Sequence, residues 1–181
     1  RQAVRLAGLA PLRAIGSGGS LTAAHALAGL HQRFTGRIAA VATPLEAADE
    51  PLDTGVATWL LSAGGGNVDI IAAAKALIQR EPRQIGVLCG RDDSPLAELC
   101  RQHPFVDLLT YSPPAGKDGF LATNSLLGFV ALLTRAYALE FGAEADWEDT
   151  AERLQTLLLE GSATLKSWEA STAPLWARPT T

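Results

Sequence analysis

Two glycine-rich stretches hold the residue types of this chain best suited to chemistry. The first, "AIGSGGSLTAAHAL", places Gly16, Ser17, Gly18, Gly19 and Ser20 between an apolar run ending at Ile15 and a helical pattern. The second, "LLSAGGGNVD", places Ser62, Gly64, Gly65, Gly66 and Asn67 in the same relation to a second helical pattern. Glycine loses more backbone freedom on folding than any other residue, so three in a row need a tight turn or a close approach to explain them. At the start of a helix such loops leave backbone N–H groups free to surround an anion, and the helix end adds about half a positive charge. Ser20 and Asn67 are N-cap types, Ser17 and Ser62 offer hydroxyls, and Asp69 falls in a first helical turn, where the dipole favours it. Together the loops read as a cradle for a phosphate or other small anion between two helix N-termini. Neither is a Walker A loop, since no Gly-Lys-Ser/Thr follows, and the first lacks the glycine spacing of a dinucleotide fingerprint.

A third segment, "CGRDDSPLAELC", offers Ser94 as an N-cap with Pro95 at the first helical position, and carries the loop cation Arg91. Lys117 and Asp118 sit together in a loop flanked by glycines, while His25 and His31 lie on the first long helical pattern and His103 precedes a proline. No Ser-His-Asp or Cys-His arrangement and no metal-ligand spacing is present, so neither a metal nor another cofactor is expected.

The elements that must position these residues show in the apolar pattern. Residues 12–15, 38–42, 56–61, 85–89 and 106–109 are short apolar runs of the kind that form strands buried on both faces. Between them, helical spacing runs over 20–34, 68–79 and 95–102. Strand alternating with helix predicts an α/β, doubly wound sheet, mostly parallel. The alternation stops after Leu109: a loop with two prolines and two glycines over 110–119 leads into a long apolar helix over 120–141 and an amphipathic one over 146–159. We expect one domain over 1–163 and a linker or docking tail over 164–181, with Trp168 and Trp176 as packing anchors.

Composition bounds the function classes. The chain has 181 residues, 48% hydrophobic and 19% charged, which fits one domain with a proper core. A net charge of −4 with no basic block argues against a nucleic-acid or anionic-membrane partner. The longest apolar run, "SLLGFVALL" over 125–133, is far short of the roughly 18 residues a membrane span needs. Two cysteines, Cys89 and Cys100, make no disulfide framework, so a reduced, cytoplasmic setting is the expectation. The chain starts at Arg1 and contains no Met, so we expect its start to have been cut or processed.

In order and placement these segments resemble the sugar isomerase (SIS) domain family over roughly 11–139. Gly16, Gly18 and Ser20 match that family's Gly-x-Gly-x-Ser loop. Ser62, Gly65 and Asp69 match its Ser-x-Ser-Gly-x-Thr-x-Asp loop, followed here by the Ala-rich "IIAAAKAL". Ser94 to Ala97 reproduce its Ser-Pro-Leu-Ala, and "AGKDGFLATNSLLGFVALL" is similar to its Ala-Gly-x-Glu-x-x-x-Ala-Ser/Thr stretch. The resemblance implies a five-stranded parallel sheet of flavodoxin-like order and binding of a sugar phosphate by the serines and amides of the second loop. It also implies an acid/base role for Asp118, which stands where isomerising members have Glu, and a homodimer or higher oligomer whose site borrows residues across the interface. Two departures bear on the ligand: Gly64 stands where the family has its second Ser, and Asn67 where it has Thr.

Three readings follow. One is an enzyme isomerising a sugar phosphate, with Asp118 as base, Lys117 beside it, and the glycine loops and Ser94 holding substrate. Another is a regulatory module that senses a sugar phosphate or nucleotide-like anion without chemistry, which the altered second loop favours. A purely structural pairing domain built on the apolar 120–141 helix is the third.

Overall fold

The computed structural model describes residues 2–49, 55–112 and 123–142. Its elements run α1 (Gln2–Ala7), β1 (Leu12–Ile15), α2 (Gly19–Thr35), β2 (Ala39–Ala42), α3 (Pro44–Asp49), β3 (Ala57–Ser62), α4 (Val68–Arg80), β4 (Gln84–Cys89), α5 (Pro95–Arg101), β5 (Val106–Thr110) and α6 (Thr123–Phe141). The five strands form one sheet of order β2-β1-β3-β4-β5, and every neighbouring pair is parallel. The α/β, doubly wound expectation holds, with each strand run within two residues of its place. The second C-terminal helix and the tail boundary at 163 lie outside the described residues.

The short elements α1 and α3 are not foreseen in the apolar pattern. Each has six residues, too few for a helical period to show. α3 is held by a local device, a capping box in which the backbone N–H of Thr43 donates to Glu46 Oε2 at 2.7 Å. Arg80, at the end of α4, donates to the carbonyls of Ala47 and Ala48 and so closes the other end of α3.

Alternation along the strands divides the core in two. Leu12, Ala14, Ala57, Trp59, Leu61 and Leu88 pack with α1, α2 and α6 on one face, while Ile15, Leu60, Ile85, Val87 and Cys89 pack with α3, α4 and α5 on the other. Trp59 is the largest buried side chain among the described residues and is paired in register with Gly86 on β4. A Cβ at Gly86 would stand 2.4 Å from the indole Cε2, so the neighbouring strand leaves that space to the ring.

Candidate functional site

β1 and β3 are neighbours whose chains leave the sheet in opposite directions, β1 through α2 to β2 and β3 through α4 to β4. The crevice at their carboxyl ends is the topological switch point, where open parallel sheets bind ligands. Both glycine loops rise there: Ile15 is in register with Leu60, and β3 runs on to Ser62.

The first loop turns on backbone groups. Gly16 is packed against the first turn of α2, where a Cβ would stand 2.4 Å from the Ser20 carbonyl oxygen. The N-cap is Gly18, not Ser20: Gly18 has φ +54, and α2 starts at Gly19. This corrects the sequence expectation, and the reason is the positive φ, which glycine adopts without a Cβ penalty. The carbonyls of Ser17 and Gly18 then accept from the N–H groups of Ser20 and Leu21, both at 3.0 Å. Ser17 is exposed and Ser20 half-buried, and neither hydroxyl has a hydrogen-bond partner among the described residues. The same holds for the backbone N–H groups of Gly18 and Gly19.

The second loop is fixed at both ends and open between. Ser62 is buried and its hydroxyl accepts the Gly65 N–H at 3.0 Å, which leaves the hydroxyl proton to donate. Asn67 is the N-cap of α4, as its position suggests: Oδ1 accepts from the N–H groups of Asp69 at 2.7 Å and Ile70 at 3.3 Å. Its side-chain NH2 remains a donor. Gly64 and Gly66 are exposed, have φ outside the left-handed region, and would meet nothing within 4 Å if given a Cβ. Their N–H groups have no partner among the described residues. Nothing in the described fold requires glycine at 64 or 66.

Gly65 is different. It has φ +62, and a Cβ there would stand 2.2 Å from Ser94 Oγ and 2.8 Å from Cys89 Sγ. The third segment is therefore clamped on the second loop. Leu96 N–H donates to the Gly65 carbonyl and Gly90 N–H to the Ser62 carbonyl, each at 3.0 Å. Ser94, only 2% exposed, caps α5: its hydroxyl donates to the Arg91 carbonyl at 3.0 Å and accepts the Ala97 N–H at 3.2 Å. Its hydrogen bonds fix the loop. Sequence spacing alone shows none of this contact between loops.

Lys117 and Asp118 lie outside the described residues. His25 is exposed on α2. His31 is 0% exposed, with Nδ1 3.0 Å from the Tyr137 hydroxyl and Nε2 3.0 Å from the Ala10 carbonyl, so it is a core residue. His103 lies edge-on to Phe105 at 5.7 Å between ring centres, away from both loops in the chain. Among the described residues no group of three or more His, Cys, Asp or Glu can hold a metal ion, and no helix is long and apolar enough to cross a membrane.

A parallel sheet of order 2-1-3-4-5 with two glycine loops at the β1/β3 switch point defines a doubly wound, flavodoxin-like α/β protein. More narrowly, the fold is that of sugar isomerase (SIS) domains. The tagatose-6-phosphate ketose/aldose isomerase of Escherichia coli superposes with a TM-score of 0.68 at 18% identity, over 88% of this chain and 45% of that one. The RpiR transcription factor of Sphaerobacter thermophilus, in its sugar isomerase domain, gives 0.58 at 20% identity over 90% and 84%. The Vibrio vulnificus NanR protein, complexed with ManNAc-6P, gives 0.58 at 19% over 98% and 61%. This chain thus spans less than half of the first protein and under two thirds of the third. No family model matches the chain, and neither does the sequence of any curated protein.

Proposed function

We propose that this domain binds a sugar phosphate in the β1/β3 crevice. Ser17, Ser20, Ser62, Asn67 and the N–H groups of Gly18, Gly19, Gly64 and Gly66 take the phosphate, Gly16 and Gly65 shape the loops, and Ser94 fixes them from behind. The observation that carries the reading is the set of unpaired backbone donors on two glycine loops at one switch point. Similarity of fold to the NanR protein complexed with ManNAc-6P supports it. In the catalytic form of this reading the sugar phosphate is isomerised, Asp118 takes the proton next to the carbonyl and Lys117 lies beside it. In the second form the domain is a sensor without chemistry. Gly64 favours that form, because it removes a hydroxyl donor from the phosphate loop while leaving only its N–H.

The same reading includes self-association into a homodimer, which the exposed Leu127 and Leu132 on α6 support. The free cysteines Cys89 and Cys100 support a reducing compartment, the cytoplasm.

A thermal-shift panel of sugar phosphates against their unphosphorylated sugars tests binding. A ligand at 100 times its Kd stabilises the native state by about 2.7 kcal/mol, which for a domain of this size raises Tm by about 5–10 °C. Equal shifts from sugar and sugar phosphate refute the phosphate assignment. Turnover of the best ligand, followed in the wild type and in Asp118→Asn, separates the two forms. The catalytic form expects turnover that falls at least a hundredfold on substitution, and the sensor form expects none in either protein.

A further inference from the structure

Among the described residues around the crevice, the charges do not suit an anion, with one exception. Among the described residues of the strand-to-helix loops and first helical turns, Arg91 is the only cation, against Glu46, Asp69, Asp92, Asp93 and Glu98. Its backbone is held with unusual care for an exposed loop residue. The Arg91 carbonyl accepts from two buried groups, Cys89 Sγ at 3.3 Å and Ser94 Oγ at 3.0 Å. Those same two side chains are the ones that press on Gly65 of the second glycine loop. The Arg91 backbone is thereby indexed to the loop that lacks a hydroxyl at position 64.

The side chain is free to change partners. The Arg91 guanidinium grips Asp93 through both carboxylate oxygens, Nε to Oδ1 at 3.0 Å and an Nη to Oδ2 at 2.9 Å. Both side chains are exposed, 55% and 76%, and an ion pair in that setting contributes little to stability. The guanidinium fork that fits a carboxylate also fits a phosphate. Asp92 does not compete for it, because Arg101 donates to the Asp92 carboxylate and, at 2.8 Å, to its carbonyl.

We propose that Arg91 is the charge-recognition residue of this site, exchanging the Asp93 carboxylate for the phosphate of the ligand. Asp93 is then a built-in competitor that holds the guanidinium until the ligand displaces it and sets the affinity. The inference rests on the crevice being a phosphate site, and the experiment is chosen so that the two fail differently.

Inorganic phosphate is titrated calorimetrically into the wild type, Arg91→Gln, Asp93→Asn and the double variant at low ionic strength. Loss of a bidentate charged contact raises Kd about tenfold in Arg91→Gln. Asp93→Asn, by releasing the arginine, lowers Kd severalfold, and the double variant matches Arg91→Gln. Because both residues are exposed, Tm of the ligand-free variants stays at the wild-type value. Wild-type binding that persists unchanged in Arg91→Gln, or that weakens in Asp93→Asn, overturns the role of Arg91 and leaves the glycine-loop site standing. Absence of phosphate binding in the wild type, together with a flat sugar-phosphate panel, overturns both.

Discussion

Gly65→Ala is expected to destabilise the fold by about 2–6 kcal/mol and to abolish binding at the crevice. The backbone part is the left-handed φ of +62, which costs a residue with a Cβ about 1–3 kcal/mol. The packing part arises because the new Cβ would lie 2.2 Å from Ser94 Oγ and 2.5 Å from Ser94 Cβ. Overpacking of that kind costs about 1–3 kcal/mol. Ser94 cannot swing aside without giving up its bonds to the Arg91 carbonyl and the Ala97 N–H, both of which are tied to the start of α5. Urea unfolding reads the loss as a lower midpoint at unchanged slope, and hydrogen exchange places it at the Ala97 and Leu96 amides. Gly64→Ala is the control one residue away. With no positive φ and no neighbour within 4 Å, it leaves stability within about 0.5 kcal/mol of the wild type. Similar losses in the two variants would refute the loop clamp as the source of the effect.

His31→Leu is expected to cost about 2–4 kcal/mol and to alter the dependence of stability on pH. The Ala10 carbonyl can only accept, so Nε2 carries the proton and Nδ1 accepts from the Tyr137 hydroxyl, whose ionisation burial pushes well above the usual phenol range. Leucine leaves a carbonyl and a hydroxyl buried without partners, at about 1–3 kcal/mol each, partly offset by its own apolar burial. Burial also holds the His31 pKa below 6.5, with the Ala10 hydrogen bond opposing and Arg37 adding to the shift. The unfolded chain therefore binds a proton at His31 that the native chain refuses. The stabilisation from neutral His31 is complete above about pH 6.5 and is lost as pH falls below it toward the lower native pKa. The wild-type minus variant difference in unfolding free energy, measured from pH 8 to pH 5, should shrink as pH falls. A difference that grows in acid would show that His31 is charged in the fold.

Much of this architecture was legible before any tertiary contact was known. The runs of β3 and β4 are apolar and buried along their whole length, as expected, whereas β2 and β5, at the two edges of the sheet, are buried at only one position each, against the expectation of burial on both faces. Asn67 and Ser94 announced their helices because an N-cap bonds within three residues of itself. Ser20 did not, because the N-cap is the positive-φ Gly18, and the carbonyls of Ser17 and Gly18 accept in place of a side chain. The polarity of the crevice was legible too, since a parallel sheet joined by helices puts every strand-to-helix loop at one end.

By itself the sequence determined the α/β alternation, the two glycine loops and their place ahead of helices, all of which follow from interactions between near neighbours in the chain. Only the tertiary structure decided the rest. It split the glycine triplet into Gly65, demanded by Cys89 at the end of β4 and Ser94 in the loop after it, and Gly64 and Gly66, which nothing in the described fold demands. It made His31, which the sequence only placed on the first long helix, a core residue held by Tyr137, 106 positions away in the chain. It also gave the exposed Arg91 a backbone anchored to the second glycine loop. The physical reason is the same in each case: a Cβ clash, a buried polar pair or an indexed carbonyl depends on atoms that the chain brings together only by folding.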